Sequence, residues 1–238
     1  MALNYFTFGD YQSLKDCGLY IEKRPARIKP RRDMTAHQIP GKDGDVYIDN
    51  GRWESVPQRY QVGCSNIDRH IDKINEMLCQ PGMLKLSDSY DNTVYRKAMC
   101  INSMEFTEDL LNFGHATIEF MCDPYRYLLA GDATQALSEG VITNPTAYEA
   151  LPLFIITTTG QFTIHLNNKD YTFKDLSGLY YVDCEAMKIY RGRKDYSSVA
   201  LFDEFPVLSP GENTISFTST STATNPYTVA IQPRWRKI

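Results

Sequence analysis

Four histidines (His37, His70, His115, His165) and six cysteines (Cys17, Cys64, Cys79, Cys100, Cys122, Cys184) are the residues best suited to hold a metal or attack a substrate. Their spacing encodes neither task. No two cysteines form a CxxC pair, which excludes a zinc ribbon and a dense disulfide scaffold. The histidines stand alone in sequence, without an HExxH motif, and read as surface or satisfied strand residues. No GxSxG elbow, Walker loop or GxGxxG fingerprint is present, so acyl transfer, nucleotide hydrolysis and dinucleotide binding have no carrier. Lys42-Asp43-Gly44-Asp45, with Asp49 beyond, offers oxygen ligands but lacks the glycine position and closing glutamate of an EF-hand loop, and reads as a tight turn. Asp88, Asp91, Glu105, Glu108 and Asp109 could supply a glycosidase carboxylate pair only if the fold brought two of them together. Tyrosine, at 16 of 238 residues, is overused. Tyr180, Tyr181, Tyr190, Tyr196 and Trp235 suit a sugar face, a core or a protein interface, and core and interface are the commoner uses. The expectation is a protein with no catalytic residue, metal or cofactor.

The elements that would position these residues are mostly β. Hydrophobic residues make up 42% and charged residues 23% of the chain, values of a folded protein and not of a disordered one. A net charge of -4 gives no general pull toward nucleic acid or an anionic membrane. No apolar run reaches the roughly 20 residues of a membrane-spanning helix. Residues 1–9 alternate like a strand and lack the basic and apolar regions of a secretory leader, which predicts synthesis in a reducing cytoplasm with mostly free thiols. Tyr5-Phe6-Thr7-Phe8, Gly18-Leu19-Tyr20-Ile21, Asp45-Val46-Tyr47-Ile48 and Arg59-Tyr60-Gln61-Val62 predict short strands between turns. Ile67, Ile71, Ile74 and Leu78 fall at helical spacing, with Ser65 or Asn66 to cap the start and Pro81-Gly82 to stop the end. That single apolar stripe predicts one helix lying on a sheet. More strands follow at 83–86, 93–101 and 114–121.

Between 129 and 152 the pattern loosens into small and polar residues, and we place the domain boundary there, giving 1–135 and 136–238. Beyond it Phe162, Ile164 and Leu166 share a strand face, Asn167-Asn168 suits a turn with positive φ, and Tyr171 and Phe173 return. Strands at 179–183, 187–190, 213–218 and 227–232 complete an antiparallel sandwich, with 219–225 a hairpin tip.

Ile39-Pro40-Gly41-Lys42-Asp43-Gly44-Asp45-Val46-Tyr47-Ile48-Asp49-Asn50-Gly51-Arg52-Trp53-Glu54, preceded by Gly18-Leu19-Tyr20-Ile21-Glu22-Lys23-Arg24-Pro25, resembles the opening signature of siphophage distal tail (Dit) proteins. Phe120-Met121-Cys122-Asp123-Pro124-Tyr125-Arg126-Tyr127, Phe205-Pro206-Val207-Leu208-Ser209-Pro210-Gly211-Glu212-Asn213 and Pro233-Arg234-Trp235-Arg236 are similar to later segments of that family, in the same order. The resemblance implies a tail-tube-like β-sandwich with a flanking helix, then a galectin-like β-sandwich. It also implies a hexameric ring, single or stacked, at the virion tail tip. That ring would meet the major tail-tube protein on one face, the tail-associated baseplate protein on the other, and receptor-binding adhesion proteins around it. His165-Leu166-Asn167 is similar to the start of a galectin sugar motif, but Lys169 stands in place of arginine and no Trp-x-x-Glu-x-Arg follows. The second domain is therefore expected to dock proteins.

Lys23, Arg24, Arg27, Lys29, Arg31 and Arg32 crowd a segment punctuated by Pro25 and Pro30. A solvated edge and an Arg-rich contact are both consistent with it. A closed ring needs two different patches per subunit. Arg24, Arg27, Arg31 and Arg32, with Gly41, Asp43 and Trp53 of the following loop, are the expected oligomer interface, and Tyr180, Tyr190 and Trp235 a docking surface. The alternative is a carbohydrate-binding module for host-wall glycans, using the aromatic residues of the second domain.

Overall fold

Phe6 and Phe8 point inward with no exposed surface while Thr7 between them is half-buried, the alternation their types dictate in a half-buried strand. The computed structural model describes residues 3–102, 113–224 and 226–238, with the backbone of 107–110. The chain is mostly β and divides into two units, Met1–Arg126 with Ile238, and Tyr127–Lys237.

The first unit runs β1 (Phe6–Phe8), β2 (Tyr11–Gln12), α1 (Ser13–Cys17), β3 (Leu19–Ile21), β4 (Arg32–His37), β5 (Val46–Trp53), β6 (Val56–Ser65), α2 (Ile67–Leu78), β7 (Leu84–Asp88), β8 (Asp91–Cys100), β9 (Thr107–Leu110) and β10 (Phe113–Cys122). Its sheet has the order β2-β1-β7-β8-β10-β6-β3. A bridge in which Ile21 N donates to Asn4 O at 2.8 Å joins β3 to the segment before β1, so the sheet closes on itself. β6 and β10 pair along their full lengths, Val56 opposite Cys122 and Ser65 opposite Phe113. Along β10, Ala116, Ile118, Phe120 and Cys122 enter the core and Thr117 faces out. Phe120 meets Phe6, Phe8 and Tyr60 at ring separations of 5.6, 4.8 and 6.0 Å.

α2 buries Ile67, Ile74 and Met77, with Ile71 and Leu78 partly covered. Asn66 stands at the start in the left-handed region (φ 61°) and makes no side-chain cap bond, so its contribution is backbone shape and not the expected cap. The end is closed by Cys79 N donating to Asn75 O, ahead of Pro81-Gly82. α1 is too short to show a period in sequence. It is fixed by the buried Ser13 hydroxyl, which accepts from Phe6 N and donates to Leu19 O.

The second unit follows β11 (Arg126–Leu128) with β12 (Gln135–Ala136), β13 (Gly140–Asn144), β14 (Leu153–Leu166), β15 (Lys169–Asp183), β16 (Lys188–Arg191), β17 (Lys194–Asp195), β18 (Gly211–Ser219) and β19 (Tyr227–Gln232). β14 and β15 form a long hairpin whose turn, Asn167-Asn168, takes φ 48° and 65°, as a two-residue hairpin loop demands. β14 pairs with β19 through residues 153–158 and with β18 through 162–166, and the change falls at Gly160 (φ 90°). One strand thus turns a corner, and the sheet wraps Phe154, Ile156, Phe162, Ile164, Phe173 and Ile189. The loosened stretch 129–152 holds short strands along β19 and β18.

Two quoted segments act as structural ties. Asn213, fully buried, donates to Ser209 O and Gly211 O and accepts from Ser209 N and Asn167 Nδ2. Arg234, at φ 54°, grips Asp183 through Nη1 at 2.8 Å and Nη2 at 3.2 Å, and Trp235 packs so closely on Gly131 that a side chain there would clash with its backbone nitrogen. Replacing Phe120 with alanine is expected to remove about 3–5 kcal/mol of stability, read as a lower urea midpoint for loss of the first unit's near-ultraviolet circular dichroism.

Candidate functional site

β4 and β5 form a sheet of two strands, paired with no others among the described residues. Cross-strand partners share a face, so Met34, Ala36, Asp49 and Tyr47 lie on one side and Thr35, His37, Ile48 and Val46 on the other. Apolar groups on both sides meet solvent: Tyr47 is 61%, Ile48 52% and Met34 42% exposed. An isolated two-stranded ribbon is marginally stable in water, and this arm compensates with side-chain ties at its base. Arg32 Nε donates to both oxygens of Asp49 at 2.9 and 2.8 Å, and its guanidinium lies 4.9 Å over the Trp53 ring. Asp33 receives Arg52 and Asn50, and Asn50 Nδ2 also donates to Thr35 Oγ1 at 3.0 Å. Gly41, Gly44 and Gly51 take φ of 79°, 78° and 78° with no atom near their missing Cβ, so glycine here serves backbone shape alone.

The basic segment leading into the arm is exposed. Arg24 lies 5.3 Å over the Tyr90 ring, and Arg31 approaches Glu54 at 3.9 Å. Lys23, Arg27 and Lys29 have no ion pair among the described residues. Of the expected interface residues, Arg31, Arg32, Gly41, Asp43 and Trp53 therefore belong to the arm or its base, with Arg24 and Arg27 on the strap before it.

The expected docking surface needs correction. Tyr180 (4% exposed) and Trp235 (7%) are core residues of the second unit, because their positions alternate inward and Trp235 closes over Gly131. Tyr190 stays half-buried and stacks on Tyr181 at 5.2 Å with planes 10° apart, so the outward aromatic pair is Tyr181 with Tyr190.

Asp88, Asp91, His115 and His165 each make hydrogen bonds or ion pairs that tie the fold. Asp88 accepts from Tyr60 Oη and from the amides of Tyr90 and Asp91, and Asp91 caps Thr93, so both organise a turn. The side chains of Glu105, Glu108 and Asp109 lie outside the described residues. His115 pairs with Glu22. His165, solitary in sequence, is not solitary in space: Nδ1 lies 2.6 Å from Asp170 Oδ1 and Nε2 2.7 Å from Thr218 Oγ1. This carboxylate–imidazole–hydroxyl row crosses β15, β14 and β18 on the outer face, where it ties three strands. The Asn167-Asn168 turn was the signal that sets His165 opposite Asp170. All six cysteines are free; burial pushes the Cys17 thiol up to about 11 and Cys122 up to about 12, which makes them poor nucleophiles. No cluster of three or more metal-ligating side chains occurs among the described residues.

The arm's two internal carboxylates carry a pH dependence. Hydrogen bonds from Asn50 and then Arg52 lower the Asp33 pKa, and hydrogen bonds from Arg32 and the Gly51 amide lower that of Asp49. A depressed carboxylate stabilises the fold above its unfolded pKa and loses that contribution as pH falls through the folded value. Amide exchange within 32–53 is therefore expected to accelerate, beyond the intrinsic pH trend, as pH drops below the ordinary carboxylate range. Core amides of β6 and β10 should keep their protection.

No family model matches the chain, and neither does any curated protein. Among solved structures, the crystal structure of the SPP1 Dit (gp 19.1) protein, described as a paradigm of hub adsorption apparatus in Gram-positive infecting phages, matches with a TM-score of 0.73 and 14% sequence identity. The match covers 100% of this chain and 100% of that one. From end to end, this protein has the fold of the SPP1 Dit protein.

Proposed function

We propose that this protein is a structural component of a phage tail tip, a distal tail protein whose copies close into a hexameric ring between the tail tube and the baseplate. The observation that carries this reading is the arm. A two-stranded ribbon with apolar groups on both faces and a strap of arginines at its base has the composition of an interface and finds no cover in its own described surroundings. A heterologous contact, in which the arm of one copy lies on a different patch of the next, is the kind that closes a cyclic ring. The full-length fold match adds the setting. In this reading the ring meets the major tail-tube protein, the tail-associated baseplate protein and adhesion proteins, after synthesis in the host cytoplasm. The first unit acts as the tail-tube-like ring former and the second as a galectin-like docking platform. The protein works by shape and interface, without turnover.

The carbohydrate-binding alternative loses two of its rings, since Tyr180 and Trp235 are buried. Light scattering of the purified protein without ligand is expected to give about six chain masses, or about twelve for stacked rings. A mass of one chain at every concentration would sink the self-assembly reading. Arg32 also holds the arm together, so the cleaner variant is Arg27→Glu with Arg31→Glu, which is expected to shift the mass toward one chain at an ionic strength of about 0.15 M. An unchanged mass would remove Arg27 and Arg31 from the interface.

A further inference from the structure

Asn50-Gly51 is the one Asn-Gly pair in the sequence, and it lies on the exposed arm, in β5. In such a pair the backbone nitrogen of the glycine can attack the side-chain carbonyl carbon of the asparagine. The absence of a Cβ on glycine leaves that approach open. A new N–C bond closes a five-membered succinimide, the Cγ–Nδ2 bond breaks, and ammonia departs with the proton lost by the glycine nitrogen. Water then opens the ring on either side, leaving aspartate or isoaspartate. The only co-reactant is water, and the step is faster in alkali because the attacking nitrogen must lose its proton.

Both ends of that reaction are pinned in the folded arm. The attacking nitrogen, Gly51 N, donates to Asp49 Oδ1 at 2.8 Å. The leaving group, Asn50 Nδ2, spends its two hydrogens on Asp33 Oδ1 and Thr35 Oγ1, each at 3.0 Å. All of these partners belong to the same two-stranded ribbon, which shares no strand pairing with either larger sheet among the described residues.

We infer that Asn50 is a modification site, a spontaneously deamidating asparagine that the closed arm protects and the opened arm releases. Conversion would also unmake the lock that delays it. A carboxylate at position 50 would face Asp33, whose charge the Asn50 amide now stabilises through a hydrogen bond. An isoaspartate would add a backbone atom to β5 and spoil its register with β4. The latch bonds lie within one chain, so they protect Asn50 whether or not the arm docks on another copy, and docking would add to that protection.

The test is peptide mass mapping of the full-length protein held in warm, mildly alkaline buffer, alongside the same protein in denaturing urea. Deamidation at Asn50 is expected to be slower in the native protein than in the denatured chain. Because reaction proceeds from the open arm, Thr35→Ala, which removes one latch bond at an exposed position, should speed the native reaction about fivefold. Equal rates in native and denatured protein would overturn the inference, as would a Thr35→Ala rate equal to wild type. The Asn50→Asp variant carries the product from the start and should show faster amide exchange through 32–37 and 46–53. Exchange identical to wild type would overturn the claim that conversion loosens the arm.

Discussion

Strand edges present rows of N–H and C=O groups that must be paired, covered or left to water, and this chain meets that constraint in three ways. In the first unit the sheet closes through the Asn4–Ile21 bridge, which leaves its core strands without a bare edge. In the second, β14 bends at Gly160 and serves β19 with one half and β18 with the other, so a single strand stitches the sheet around its core. Among the described residues the arm, β4 with β5, pairs with neither larger sheet and keeps both outer edges open. The closed sheet and the bent strand surround the two cores, and the arm leaves its outer edges to water or to a partner.

Much of this architecture was legible in the residues. The apolar spacing of Ile67, Ile71 and Ile74 marks α2, and the alternation at Ala116, Ile118 and Phe120 marks β10, because burial of one face imposes its period on the sequence. Asn167-Asn168 announces its turn through the rare tolerance of asparagine for positive φ. What stayed hidden depends on contacts distant in sequence. The closure of the first sheet rests on one backbone bridge that any residues could make. The amphipathic rings of Tyr180 and Trp235 suit both core and interface, and only the inward alternation of β15 and the close approach at Gly131 decide between them. His165 looked isolated because Asp170 and Thr218 reach it across strands.

The candidate site shows the same division. The Gly41–Asp43–Trp53 loop and its arginines were visible as composition, and the resemblance gave them a role. The ladder that shapes the arm was not visible: Arg32 with Asp49, Arg52 with Asp33, and Asn50 bridging Asp33 to Thr35 are cross-strand pairs set by a register that shifts between Arg32 and Met34. Spacing in sequence cannot supply that register, because a slip of one residue would send every side chain to the opposite face.

The arm therefore differs from the two units in kind. The units are held by buried rings and aliphatic chains such as Phe120 and Phe154, whose contribution scales with area removed from water and depends little on pH. The arm is held by exposed ion pairs and amide bonds, each worth little singly and each sensitive to salt or acid. Glycine follows the same split. At Gly131 and Gly63 a side chain would collide with packed neighbours, whereas at Gly41, Gly44 and Gly51 it would meet empty space and only the backbone angle forbids it. An element shaped by local rules and weak exposed bonds can be ordered by whatever covers it at little cost to the cores behind it, and that separation lets one fold combine two stable cores with an adaptable arm.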